Sequence, residues 1–474
     1  MPSLDRRKFL ARGAAAAGAA AVAGNLLTTF DLAAATPSPA PGNQGGRAGY
    51  GPVSPKRDQN GDRILALPDG FRYVTFSKTG EPMSDGSPTP RAHDGMAAFS
   101  YSRGKTLLIR NHEVRTAPGT LQGAVQVPED RRYDPVGVGG TTSVIFDHER
   151  GRLLRDWASF GGSFTNCAGG VAYNDTGWIT CEETVAGPNE GWGRKHGYCF
   201  LVPADARNAA KPPALTEMGR FAHEAVATDP RTGFVYETED DGNDSGFYRF
   251  RPRDVRRLDR GGRLEMLAIK NRPNYSTITG QRVGRPLPVR WVAIDDPDPD
   301  LEGGAPDVAA QGGARGAAQF NRLEGIWYDR TSRGFFFVST SGGDAAFGQV
   351  WHYDPRREEV TLWFESPGGS VLDSPDNLLV TPRGGLVLCE DNASAAGGGG
   401  HPAAPGIEDV NRLIGIDRQG DAFELAVNIM SDTEFCGATF STDGSTLFAN
   451  LQGSEAAGSG LSVAITGPWR RGPL

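Results

Sequence analysis

From Asp94 onward the chain repeats one pattern: an apolar strand, a tight turn built on Gly, Asp or Pro, then a second apolar strand. The first strands contain Gly95-Met96-Ala97-Ala98-Phe99, Gly170-Val171-Ala172-Tyr173, Ala225-Val226-Ala227, Gly325-Ile326-Trp327-Tyr328, Leu378-Leu379-Val380 and Gly437-Ala438-Thr439-Phe440. Their partners centre on Ile109, Ile179, Val235, Phe337, Val387 and Phe448. Further apolar stretches between the units, such as 197–202, 246–250, 349–353 and 412–416, supply outer strands, and helical periodicity is weak throughout. The pattern predicts an all-β chain, a six-bladed β-propeller with loop insertions, with a two-sheet sandwich as the alternative. The stretch 258–321, rich in Gly, Arg, Asp and Pro, is expected to be an insertion loop or lid.

In a hairpin the start of the first strand lies beside the end of the second, so polar residues at those places gather on one face. Before the first strands stand His93-Asp94, Asn166-Cys167, His223-Glu224, Arg322-Leu323-Glu324, Asp376-Asn377 and Glu434-Phe435-Cys436. After the second stand Asn111-His112-Glu113, Glu182-Glu183, Glu239-Asp240-Asp241, Ser341-Gly342, Glu390-Asp391-Asn392 and Asn450-Leu451-Gln452. So many carboxylates at one channel mouth repel one another unless cations neutralise them. Oxygen donors suit a hard cation such as calcium, and a thiol at Cys167 points to a transition metal sharing the site. Glu113, Glu182, Glu224 and Glu324 follow or precede apolar runs, which a surface acid need not do; Asp241, Asp391 and Glu183 read equally well as loop carboxylates. Cys181, Cys199 and Cys389 read as core, and His93, His112 and His223 as blade-edge or supporting residues.

Composition narrows the classes. The N-terminus carries Arg6-Arg7 before the uncharged, Ala-rich stretch 14–27, the pattern of a twin-arginine export signal, expected over 1–35 and followed by a flexible segment to 51. Residues 52–474 are then a single propeller domain, and a cleaved signal leaves no stable membrane insertion. Export through the twin-arginine translocase places the chain in the periplasm, at the cell surface or outside the cell. Five cysteines are too few for a disulfide scaffold of this size. With 57 Asp+Glu against 49 Lys+Arg, and no basic run past the signal, no nucleic-acid partner is expected. The sequence holds no Gly-x-Ser-x-Gly elbow, no Gly-x-x-x-x-Gly-Lys loop and no His-Glu-x-x-His pair.

Seven motifs in order, Leu67-Pro68-Asp69-Gly70-Phe71-Arg72-Tyr73, Asp94-Gly95-Met96-Ala97, Arg110-Asn111-His112-Glu113, Asn166-Cys167-Ala168-Gly169-Gly170, Thr180-Cys181-Glu182-Glu183-Thr184, Arg322-Leu323-Glu324-Gly325 and Ser374-Pro375-Asp376-Asn377-Leu378, resemble the successive signatures of PhoX-type alkaline phosphatases. The resemblance implies a secreted phosphomonoesterase with a cluster of Fe(3+) and Ca(2+), acting on small-molecule phosphoesters; a monomer is expected. It implies Cys167 and Glu182 as metal ligands, completed by Glu113, Glu224, Glu324 and an acid at Asp376 or Asp391. Arg322 and Glu324 are the candidate catalytic residues, Arg322 to hold phosphate oxygens. A lysine that the family places late in the chain has no counterpart, since no lysine follows Lys270; Arg412 is one candidate substitute. The rival expectations are a calcium-dependent propeller lactonase or phosphodi- or triesterase, and a calcium-stabilised propeller that only binds a partner.

Overall fold

All six predicted hairpins form as antiparallel pairs: His93–Ser102 with Lys105–His112, Asn166–Val171 with Gly177–Glu182, His223–Thr228 with Val235–Glu239, Leu323–Asp329 with Gly334–Ser339, Pro375–Val380 with Leu386–Glu390, and Phe435–Phe440 with Thr446–Leu451. Each connecting turn holds a residue in the left-handed region (Gly104, Asn174, Gly233, Arg333, Gly384 and Gly444), as a tight reversal between twisted strands requires. The structure is a computed structural model and describes residues 49–391, 401–407, 410–453 and 460–474; the expected export signal lies outside them.

The described strands make five sheets. Four-stranded sheets contain the first and sixth hairpins, a three-stranded sheet the second, and a six-stranded sheet the fifth. The third and fourth hairpins lie at opposite ends of one nine-stranded sheet. Two N-terminal strands close onto the last sheets, Arg72–Phe76 on Leu461–Thr466 and Leu65–Pro68 on Ala422–Asn428. This ties the two ends of the described chain into shared ladders, an all-β, propeller-like arrangement.

The 258–321 stretch is more ordered than a loop. Gly262–Ile269 and Pro286–Ala293 are strands of the nine-stranded sheet, Val308–Ala314 is a short helix capped by the Asp307 side chain, and Pro286–Ala293 pairs onward with Glu359–Glu365, fusing two hairpin sheets. The apolar run Leu264, Met266, Leu267, Ala268 and Ile269 is buried, a strand signal hidden in the sequence by the Arg, Asp and Pro around it.

Neighbouring hairpins meet along their first strands. Asn111 donates to the carbonyls of Cys167 and Ala168 at 3.0 and 2.6 Å, Thr228 to Val171 at 2.9 Å, Thr238 to Glu324 at 2.6 Å, and Asn450 to Asp94 at 2.6 Å. The Gly437 amide donates to Asn377 Oδ1 at 2.7 Å. Between the fourth and fifth hairpins a Cβ on Gly325 would lie 2.8 Å from the Leu378 nitrogen, so only glycine permits that approach. One cavity is lined from all six, by Gly95, Ala168, Ala225, Gly325, Asn377 and Gly437. Small residues there let the first strands approach one another closely.

Candidate metal centre

Each hairpin slips register at the same place. Between His93 and Met96, Asn166 and Gly169, His223 and Val226, Leu323 and Ile326, Pro375 and Leu378, and Cys436 and Thr439, the first strand carries one more residue than its partner. A bulge breaks the in-out alternation and re-aims a side chain. The first residues inside the six bulges are Asp94, Cys167, Glu224, Glu324, Asp376 and Gly437, so five of six are metal-ligand types. On the second strands, the residue after the last paired position supplies Glu113, Glu183, Asp240, Thr340 and Asp391.

These two series converge. Four triplets each have ligand atoms within 4.8 Å of one another: Asp94, Glu113 and Cys167; Cys167, Glu183 and Glu224; Glu224, Glu324 and Asp376; Asp376, Asp391 and Glu434. Cys167, Glu224 and Asp376 each belong to two triplets, so nine side chains form one continuous track. Burial pushes the Asp94, Glu224, Glu324 and Glu434 carboxyls well above the usual carboxylate range; neighbouring carboxylates push them further. The Cys167 thiol is raised by burial and then by Asp94 and Glu224. Both Glu224 oxygens are buried and accept no hydrogen bond. Such a group needs a proton or a cation, and ligand atoms within 4.8 Å of one another are close enough to share an ion with bonds of about 2.4 Å, as calcium makes. The donor set fits bound metal.

Among the expected ligands, Glu113, Cys167, Glu224, Glu324, Asp376 and Asp391 lie on this track. Glu182 does not. Its Oε1 accepts from the Phe164 amide at 2.9 Å and sits 2.6 Å from His196 Nδ1, while its Oε2 accepts from the Gly197 and Tyr198 amides at 2.9 and 3.1 Å. The reason is parity: Glu182 is paired opposite Asn166 in the ladder and faces into its sheet, and Glu183 is the acid that reaches Cys167 and Glu224. Glu239 and Glu390 at the equivalent ladder positions behave the same way, accepting from Tyr248 and the Gly246 amide, and from Arg412 and the Asp373 amide. Asp94, Glu183 and Glu434 join the track although sequence reasoning did not select them. Their signal was present, since all three stand at the strand ends where acids recur.

Arg322 forks onto Asp240, Nε to Oδ1 at 3.1 Å and Nη2 to Oδ2 at 3.0 Å, and Nη2 also reaches Glu324 Oε1 at 2.8 Å. It is 20% exposed, so its guanidinium stands at the rim rather than beneath it. Arg115, from the loop after the first hairpin, bonds Glu113 and Glu183 and is 37% exposed. Two arginines therefore meet separate acids of the track. Arg412 is excluded as a rim cation: it is buried against Glu390, Glu424 and the carbonyls of Gly369 and Ser370. His93, His112 and His223 are buried against the carbonyls of Pro90, Arg91 and Gly219, respectively.

The sequence profile of alkaline phosphatase PhoX matches residues 48–455. Pseudomonas fluorescens PhoX in complex with vanadate, a transition state analogue, is 18% identical, with 89% of this chain and 98% of that one covered and a TM-score of 0.65. Two further structures are more distant. A protein of unknown function from Dyadobacter fermentans is 9% identical over 84% of this chain and 100% of its own, TM-score 0.45. A gluconolactonase from Xanthomonas campestris is 12% identical over 89% and 99%, TM-score 0.41. No curated protein sequence matches. With a family match running over most of its length, this chain belongs to the alkaline phosphatase PhoX family and is a phosphatase.

Proposed function

We propose that the chain is an exported phosphomonoesterase, a six-bladed propeller with one blade per hairpin, whose residues from 52 onward act as a single catalytic domain on small phosphoesters at a mixed iron and calcium centre. The observation that carries this is the track of four overlapping donor triplets with one thiol in it. A thiolate is a poor calcium ligand, and Cys167 is shared by two triplets, which favours this reading over a calcium-only lactonase or binding propeller.

Asp94, Glu113, Cys167, Glu183, Glu224, Glu324, Asp376, Asp391 and Glu434 would hold the metals. Iron and calcium held there would supply Lewis acidity, offsetting phosphoryl charge and lowering the pKa of a water at neutral to alkaline pH. The protein's own part is positioning. Arg322 puts a planar guanidinium at the rim as a positive charge for phosphoryl oxygens, and Asp240 fixes its plane through Nε and Nη2. Glu324 belongs to the track and accepts from Arg322, so it links the guanidinium to the ligand set. Arg115 provides a second cation at the rim, over the Glu113 and Glu183 carboxylates. In an in-line displacement charge builds on the equatorial oxygens, and fixed guanidinium donors stabilise that charge without reorganising.

The test is elemental analysis of the protein exported through its own signal, together with hydrolysis of a chromogenic phosphomonoester, for the parent and Cys167→Ala. Iron with calcium in the parent, and loss of both iron and turnover in the variant, is the expected result. Calcium without iron and no turnover would overturn it.

A further inference from the structure

A second cluster of metal-ligand types lies away from the rim, between the second and third hairpins. Cys199, His223 and Glu237 have ligand atoms within 4.8 Å of one another, and all three are fully buried. Cys199 Sγ is 3.4 Å from His223 Nδ1, and His223 Nδ1 is 3.4 Å from Glu237 Oε2. Cys181, opposite Cys199 in the ladder, brings its sulfur to 3.6 Å from that of Cys199 without a disulfide between them.

The chemistry of Glu237 is the anomaly. Its ladder position faces Val226, and the equivalent positions of the last three hairpins carry Phe337, Leu388 and Phe448. Both Glu237 oxygens are buried without a hydrogen bond, in a core that includes Cys181, Cys199, Phe221, Val226 and Tyr248. Burial alone pushes its carboxyl well above the usual range. An unpaired carboxyl in such a place costs stability unless something compensates it.

His223 shows what that something is. Its Nε2 lies 3.0 Å from the Gly219 carbonyl and donates to it, so Nδ1, which carries a lone pair in the neutral ring, is the nitrogen that faces Cys199 and Glu237. Phe221 stacks on the ring at 3.6 Å between centroids and fixes its plane. A thiol, a ring nitrogen and a carboxylate gathered at 3.4 Å share either a proton or a cation, and a cation turns all three into ligands. Around a tetrahedral zinc, with bonds of about 2.3 Å to sulfur and about 2.0 Å to nitrogen or oxygen, ligand atoms stand roughly 3.3 to 3.8 Å apart. Cys181 to Cys199 is 3.6 Å, Cys199 to His223 3.4 Å and His223 to Glu237 3.4 Å.

We propose that Cys199, His223 Nδ1 and Glu237 form a buried structural site for a divalent cation of the zinc class, distinct from the rim centre, with Cys181 as the neighbouring sulfur available for the fourth position. Binding exchanges the Cys199 thiol proton, and the Glu237 proton if present, for the metal, with no change of oxidation state. The site clamps the second hairpin and its outer strand, through Cys181 and Cys199, to the third, through His223 and Glu237.

The test uses the full chain in a Cys167→Ser background, which removes the rim thiol, loaded with zinc or with cobalt(II) as a spectroscopic substitute. Expected are about one tightly held zinc per chain and a sulfur-to-cobalt charge-transfer band, both lost in Cys199→Ser. Glu237→Gln, which keeps the side chain's shape, discriminates if Cys199→Ser fails to fold. Under the proposal it weakens zinc retention at least about tenfold and lowers the melting temperature of the zinc-loaded protein. If instead Glu237 is simply a neutral buried acid, Glu237→Gln leaves zinc content and melting unchanged, and that result overturns the proposal. So does a Cys181–Cys199 disulfide in mass spectra of the unreduced protein.

Discussion

Glu182 and Glu183 are consecutive residues that serve opposite sides of one strand end: Glu182 takes the Gly197 and Tyr198 amides and the His196 ring inside its sheet, while Glu183 lies with Cys167 and Glu224 at the rim. The two substitutions should therefore separate folding from metal binding. Glu183→Gln is expected to lower the metal content and the turnover with little change in the melting temperature of the metal-free protein. Glu182→Gln is expected to cost about 2 kcal/mol or more of stability, because it breaks a buried, multiply bonded carboxylate. Denaturant unfolding beside elemental analysis checks both. Equal losses of stability in the two variants would contradict the parity assignment.

His196 sits between two buried acids, 2.6 Å from Glu182 and 3.2 Å from Asp134. Burial pulls its pKa down, but the Glu182 and Asp134 carboxylates outweigh that and raise it to about 9. A histidine whose folded pKa is raised contributes stability in full below its unfolded pKa, near 6.5, and loses it as pH rises through the folded value. Melting temperature should thus decline between pH 6.5 and about 9 through this group. In His196→Gln the same pH series should be flatter over that interval, with a lower melting temperature at its acid end. An unchanged slope would show that another group governs the decline.

How far the site could be read from sequence follows from the same geometry. The hairpins were legible because apolar alternation and turn residues repeat six times, and the mouth was legible because acids recur at both strand ends. What the sequence hides is the bulge. Strict alternation from Gly170 back to Asn166, or from Ile179 on to Glu183, does not say that one extra residue turns Cys167 to the rim and leaves Glu182 facing the sheet. Arg115 was hidden for another reason: it lies in an irregular loop after Glu113, where no period predicts direction. The strand Gly262–Ile269 was obscured by the Arg, Asp and Pro around it, which read as a loop although six of its eight residues are buried.

Arg322 and Asp240 make a second pair with separable roles. Arg322→Lys keeps a charge but loses the fork, so turnover on a phosphomonoester should fall on the order of a hundredfold, by analogy with removal of one transition-state donor. Asp240→Asn keeps a weaker partner for the same guanidinium, so its effect should be smaller and of the same kind. Comparing kcat and KM for the two variants tests this. A larger loss in Asp240→Asn than in Arg322→Lys would mean that Asp240 acts directly and not through Arg322.

Chelation should act on stability as well as on activity. Nine acid and thiol side chains in overlapping triplets, with Glu224 lacking any hydrogen-bond partner, are held together against their mutual repulsion. A ligand bound only by the folded state stabilises it by RT ln(1 + L/Kd), where L is its free concentration. Treatment with a strong chelator should therefore lower the melting temperature of the parent, and by less in Glu224→Gln, where one of the shared carboxylates is already neutral. Thermal unfolding with and without chelator measures the difference. No shift in the parent would remove the case for bound metal at the rim.

Gly437 marks the one bulge in which the ring has no ligand side chain, and its backbone explains why. Its φ is +60°, and a Cβ there would lie 2.5 Å from the Asp94 carbonyl oxygen and 2.8 Å from Asn450 Nδ2. Those atoms belong to the hydrogen bond, 2.6 Å from Asn450 to Asp94, that joins the sixth hairpin to the first. A side chain at 437 would force the two apart, so the acid that completes this part of the track comes from Glu434, three residues earlier. Gly437→Ala should cost about 1 to 3 kcal/mol from the left-handed backbone and the contact together. Because Asp94 moves with its carbonyl, it should also lower the metal content of the folded fraction. If metal content per folded chain were unchanged while stability fell, the position of Asp94 would not depend on this closure.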